Sequence, residues 1–111
     1  MIHVLVTRDS RGITGFTMDG HAEAGPYGHD IVCAGASAVS IGAVNAIHAL
    51  CDVNVVAESA TDGGHLECQV PAGLDSVSYE KVQLLLEGMR VSLESIAESY
   101  NEFITVEIDR R

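Results

Sequence analysis

From Ile31 to Cys51 the chain carries no Asp, Glu, Lys or Arg, and its residues are mostly Ala, Gly, Val, Ile and Ser. A stretch of this kind has to be hidden from water, either within a folded domain or within a bilayer. Ser37, Ser40, Asn45 and His48 interrupt it, which argues against a span needing roughly 18 or more apolar residues in a row. Asp30 stands directly before it, where an N-cap carboxylate would accept backbone N–H bonds. The expectation is a helix, apolar around most of its circumference, Ala/Gly-rich and central in the domain. Ala34, Gly35, Ala36, Ala38, Gly42, Ala43 and Ala46 would let neighbouring elements come close, with some helix propensity lost at the glycines.

The remaining segments must cover that helix. Residues 2–8 alternate with Ile2, Val4 and Val6 on one face, and after the turn-like Asp9-Ser10-Arg11-Gly12 a second alternating run covers 13–19, which predicts a hairpin. Residues 20–29 hold Gly20, Gly25, Gly28 and Pro26, which predicts a loop. After the helix, 53–58 and 65–70 alternate around Thr61-Asp62-Gly63-Gly64, with Leu66, Cys68 and Val70 facing one way and His65, Glu67 and Gln69 the other. Pro71-Ala72-Gly73 ends this second hairpin. A helix beginning near Asp75 or Ser76 then places Val82, Leu85, Leu86, Met89, Leu93, Ile96 and Tyr100 on one face, opposite Glu80, Lys81, Glu87, Arg90, Glu94 and Glu98. Residues 103–108 form a last strand. The order ββαββαβ predicts an α+β fold with a mainly antiparallel sheet and two helices, in one domain over 1–111.

Charge narrows the partners. Sixteen Asp plus Glu against 6 Lys plus Arg give a formal net charge of −10, a surface that repels phosphate backbones and anionic headgroups and attracts basic peptides. No direct nucleic-acid contact and no membrane contact are expected. The alternating start of the chain does not resemble an export signal, so a cytoplasmic location is expected. Cys33, Cys51 and Cys68 are odd in number and widely spaced, so they should stay reduced, with no structural zinc and no cofactor.

One stretch concentrates chemistry: Gly20-His21-Ala22, a glycine-containing loop, then Asp30-Ile31-Val32-Cys33-Ala34-Gly35-Ala36-Ser37. With Asp30 as N-cap, Cys33 would fall at the third helical position, where unpaired backbone N–H groups and the helix dipole favour a thiolate. The intervening loop is long enough to fold His21 back over the helix end. A thiolate, an imidazole and helix-end N–H donors are the parts of a cysteine acyl-transfer site. The plainer reading is a small buried Cys in an Ala-rich helix, as expected for Cys51 and Cys68. Asp30 could cap the helix or orient the His21 ring. Ser37, one turn beyond Cys33, could line the site or bond back to a helix carbonyl. His29 could join the site or simply be a solvated loop residue, and His3, His48 and His65 give no convergent signal. A metal site on His21, His29 and Cys33 matches no familiar spacing.

On these residues the sequence resembles the ribosomal-processing cysteine protease family, Prp, of Firmicutes and related bacteria, whose pattern reads roughly G-H-A, a glycine-containing loop, then D-[IV]-V-C-A-A-x-S. The resemblance spans essentially the whole chain; Gly35 departs from it, standing where the family usually has alanine. It implies a cysteine endopeptidase that removes a short N-terminal extension from a large-subunit ribosomal protein, with Cys33 as nucleophile and His21 as base and later acid. Gly20, Asp30, Ala34 and Ser37 would support them. It further implies a homodimer and a flexible substrate loop over 22–32, including Glu23, Gly25, Pro26, Tyr27, Gly28 and His29. Glu23 there would either meet a basic substrate side chain or remain a solvated surface residue. The reaction expected is thiolate attack on the scissile carbonyl, the oxyanion held by the N–H groups of Cys33 and its helical neighbours. The alternative is a non-enzymatic acidic module that docks a basic ribosomal or translation partner by charge and edge-strand pairing.

Overall fold

The computed structural model describes residues 1–20, 26–60 and 64–111, the side chains of 26–30 excepted. Strands β1 (Ile2–Asp9), β2 (Gly12–Asp19), β3 (Val56–Ser59), β4 (His65–Gln69) and β5 (Ile104–Arg110) and helices α1 (Pro26–Cys51) and α2 (Ser76–Ser99) follow the expected ββαββαβ order. The sheet runs β3-β4-β2-β1-β5. Three of its pairings are antiparallel, and β5 joins β1 in parallel after the α2 crossover.

Alternation and register explain why one face is buried. Val4 lies between Met18 and Val106, Val6 opposite Phe16, and Phe16 opposite Cys68. These rows form one core with Val32, Ala36 and Ile47 of α1 and Val82, Leu86, Met89 and Leu93 of α2, each large aliphatic side chain contributing roughly 1.5–3 kcal/mol. The opposite face, with His3, Leu5, Thr17, Glu67 and Thr105, carries no helix among the described residues and stays at least partly in water.

Helix α2 begins where expected. Asp75 caps it, its carboxylate accepting from the Ser78 N–H at 2.8 Å and the Ser78 hydroxyl at 3.1 Å, and these bonds hold the Asp75 carboxyl below the usual carboxylate range. Further along, the Gln83 side chain bonds both the N–H and the C=O of Ile13, at 2.8 and 2.7 Å, fixing the helix beside the bulge in the β1–β2 ladder.

Helix α1 departs from expectation at its start and around its circumference. It begins at Pro26, so Pro26, Tyr27, Gly28 and His29 are helical where a loop was expected. Proline suits a first helical position because its fixed φ fits and its missing N–H is not needed there. Asp30 is therefore an interior helical residue and not the N-cap. Nor is the helix enclosed on most sides: Val32, Ala36, Ser40 and Ile47 are buried, whereas Ile31, Ile41 and Leu50 are exposed. Both helices lie in one layer on the sheet, and no further element covers the outer side of α1 among the described residues. The Ile31–Cys51 stretch is by length and composition sufficient to cross a membrane, against the sequence expectation; in the fold one of its faces packs on the core instead. Asp52 ends the helix in the left-handed region at φ 55°, its N–H donating to the His48 carbonyl at 3.0 Å.

Candidate active site

Position on α1 decides what Cys33 can meet. Counting from Pro26, it is the eighth helical residue, two turns in, and not the third. In an α-helix its N–H is given to the carbonyl four residues earlier, while the unpaired N–H groups lie in the first turn near Tyr27 and Gly28, about 8 Å back along the axis. The expected oxyanion site from the N–H groups of Cys33 and its helical neighbours is therefore corrected: those donors are spent within the helix.

The side of the helix on which Cys33 sits is informative. Cys33, Ser37 and Val44 follow at spacings of four and seven, so they share one side of α1. Ser37, Ile41, Val44 and Asn45 form one wall of a cleft of about 310 Å³, and Met18, Val56, Ser59 and Leu66 supply the other from the sheet. Cys33 is half-buried, one helical turn from Ser37. Ser37 is among the residues lining this cleft. Ser40, by contrast, is fully buried and satisfies itself by donating to the Ala36 carbonyl at 2.8 Å. Ala34 lies on the exposed side of the helix and is not brought to the cleft.

The other half of the expected pair, His21, comes two residues after the last residue of β2 in the sequence. Gly20 follows that strand with φ +93°, and its N–H donates to the Gly64 carbonyl at 3.0 Å. A Cβ at Gly20 would sit 2.4 Å from the Met1 carbonyl oxygen, so glycine is what the site accepts. His21, Glu23 and Gly25 lie outside the described residues, so neither the His21–Cys33 geometry nor the His21, His29 and Cys33 metal reading is placed by the structure.

His65, which has no convergent signal in the sequence, gains a partner in the fold. Its Nδ1 is hydrogen-bonded to the carboxylate of Asp19, the last residue of β2. That bond, with the nearby charges of Asp19, Glu58 and Glu67, raises the His65 pKa above the ordinary value of 6.5 despite partial desolvation. Period-two alternation was the available signal, since it puts Asp19 and His65 at facing strand ends once β2 and β4 are paired. The remaining thiols behave as packing residues. Cys68 is buried in the core and burial pushes its thiol up to about 11, while Cys51 is half-buried at the end of α1.

Cys33 is thus half-buried one helical turn from a partly apolar cleft that it does not itself line, and known proteins supply the family. The sequence profile of the family described as cysteine protease Prp matches residues 1–105. The ribosomal processing cysteine protease Prp of Bacillus subtilis is 41% identical over 107 residues, 96% of each chain. That of Staphylococcus aureus is 46% identical over 105 residues, 94% of this chain and 95% of its own. Among solved structures, a Streptococcus mutans protein superposes with a TM-score of 0.86 at 35% identity, covering 100% of this chain and 96% of its own. The S. aureus protease with a covalently linked product peptide gives 0.85 at 41% identity, and with a substrate peptide 0.83 at 40%, each covering 98% of this chain and 100% of its own.

Proposed function

This chain belongs to the cysteine protease Prp family and is a cysteine protease, and from that premise we propose that it trims a short, basic N-terminal extension from a large-subunit ribosomal protein in the cytoplasm. Cys33 is the proposed nucleophile and His21 its base and later acid. The observation that carries the assignment is the position of Cys33, one helical turn from Ser37 on the side of α1 that borders the cleft; relatives solved with a substrate peptide and a covalently linked product peptide support it.

In the proposed reaction the Cys33 thiol gives its proton to His21 and the sulfur attacks the scissile carbonyl. The imidazolium then returns the proton to the leaving amine, freeing the downstream part of the substrate. Water, deprotonated by His21, attacks the thioester and releases the extension and the thiol. Because the N–H groups around Cys33 are committed to α1, donors for the oxyanion must come from outside that turn of helix. The net charge of −10 supplies long-range attraction for a basic substrate segment, raising the encounter rate more than the final affinity.

A homodimer belongs to the same proposal. Ile31, Ala34 and Ala38 recur at three- and four-residue spacing on the exposed, uncharged side of α1, and a second copy is the proposed cover. Equilibrium sedimentation should give a dimer that Ala38→Glu dissociates; an unchanged mass would place the contact elsewhere.

The function is tested by incubating the protein with a peptide from the extended N-terminus of the same organism's ribosomal protein. Cleavage is expected from the wild type and is expected to vanish in Cys33→Ala and in His21→Ala. Undiminished cleavage by Cys33→Ala would remove the thiol from the mechanism.

A further inference from the structure

Two bonds tie the end of β2 to the start of β4. Asp19 and His65 are direct partners in the β2–β4 register, and their side chains are hydrogen-bonded. One residue on, the Gly20 N–H donates to the Gly64 carbonyl at 3.0 Å. On the other flank Gly20 leaves no room for a Cβ against the Met1 carbonyl. The residue that follows in sequence is His21, so the chain is held on both sides immediately before it.

We propose that Asp19 and His65 are positioning residues for His21: their pairing fixes where the chain leaves the sheet, and through it where the imidazole is delivered to Cys33. The inference rests on the Cys33–His21 reading above. Position is demanding in such pairs, since a displacement of about 1 Å between reacting groups can cost on the order of 100-fold in rate. The groups facing His65 are the Asp19 carboxylate on β2, Glu58 on β3 and Glu67 beside it on β4, with His3 of β1 opposite Asp19 and itself bonded to Thr105 at 3.2 Å. This surrounding negative charge favours imidazolium at His65, so the bond to Asp19 is charge-assisted while His65 holds its proton and weakens to a neutral contact as that proton is lost.

Peptide cleavage and iodoacetamide labelling of Cys33 at pH about 6.5 test this together, in the wild type, Asp19→Asn, His65→Gln, the double variant and His21→Ala. Asp19→Asn and His65→Gln are each expected to lower kcat roughly 10- to 100-fold, with little change in KM for Asp19→Asn, since His65 but not Asp19 also lines the cleft, and to slow Cys33 labelling toward the rate in His21→Ala. The double variant should be no worse than either single one, because the two residues act as a unit. A purely structural pin would lower Tm without changing how fast Cys33 labels. Wild-type kcat and labelling in both single variants, or losses that multiply in the double, would overturn the proposal. If His21→Ala neither slows labelling nor stops cleavage, the Cys33–His21 reading fails and this inference with it. If His21→Ala does both while the Asp19 and His65 variants are silent, only the positioning role fails.

Discussion

Replacing Gly20 by alanine tests how tightly the chain is set before the candidate base. Two costs add at that position. The φ of +93° lies where a Cβ is strained, costing about 1–2 kcal/mol, and the new Cβ would sit 2.4 Å from the Met1 carbonyl oxygen, so backbone must shift for about 1–3 kcal/mol more. Against these stands a gain of about 0.4–1 kcal/mol from a less flexible unfolded chain. The net is a loss of about 1–4.6 kcal/mol, or a Tm lowered by at least about 4 °C in a domain of this size. Two other glycines separate the contributions. Gly73 has φ +82° but nothing within 4 Å of its Cβ position, so Gly73→Ala should carry the strain alone. Gly88, inside α2 with open space around it, should gain up to about 1 kcal/mol as alanine. Urea unfolding of the three variants gives the order Gly88→Ala, wild type, Gly73→Ala, Gly20→Ala from most to least stable. Cleavage should fall only in Gly20→Ala. Equal stability of Gly20→Ala and Gly73→Ala would mean that Met1 does not confine the β2 end, and the reasoning about that crowding would be wrong.

Three further outcomes follow from the site and its charges. Val44→Phe, which fills the cleft beside Ser37, should lower kcat/KM for the peptide at least about tenfold while the variant still labels at Cys33; unchanged kcat/KM would exclude the cleft from substrate binding. Stability should decline on the alkaline side, because Cys68 is raised from 9.0 to about 11 in the fold: its contribution is intact below about 9 and is lost as pH climbs toward 11. Urea midpoints measured against pH should show that slope and Cys68→Ala should flatten it, while raised His65 adds a contribution present below its ordinary 6.5 and lost as pH rises through its folded value. Finally, kcat/KM for a basic peptide should fall as salt is raised from about 0.05 to 0.5 M, since the Debye length shrinks below 10 Å; a flat response would remove steering by the acidic surface.

Helix α2 was legible because two independent signals agree: Asp75 is a capping residue, and Val82, Leu86, Met89 and Leu93 recur at helical spacing and are buried. Helix α1 was legible only as an element. Its residues are apolar or small all round, so periodicity could not tell the buried Val32, Ala36, Ser40 and Ile47 from the exposed Ile31 and Ile41. Its start was misplaced because Gly25, Pro26 and Gly28 form a turn-like composition while Asp30 offers a plausible cap; tertiary context let the helix run on to Pro26. The Cys33-to-Ser37 spacing could be read locally. The facing wall of the cleft could not, since Met18, Val56 and Leu66 come from three strands whose pairing skips α1. The Asp19–His65 pair depends on the same non-local register.

The displaced helix start changes what must activate the nucleophile. A thiol at the third helical position would draw on unpaired N–H groups and on a dipole whose effect fades within the first turn. Two turns in, Cys33 lies beyond the first turn where those groups act, and the proposed His21 pairing supplies activation that the helix end does not. The two placements separate in a single variant. In His21→Ala a helix-end thiol would keep much of its reactivity, whereas a mid-helix thiol should label at pH about 6.5 no faster than Cys51, which is likewise half-buried on the same helix. Comparing the labelling of Cys33 and Cys51 in that variant by mass spectrometry therefore reads out where the helix begins as well as what the imidazole contributes. A Cys33 that stays several-fold faster than Cys51 without His21 would show that backbone donors still reach the sulfur, and the argument from helical position would fail.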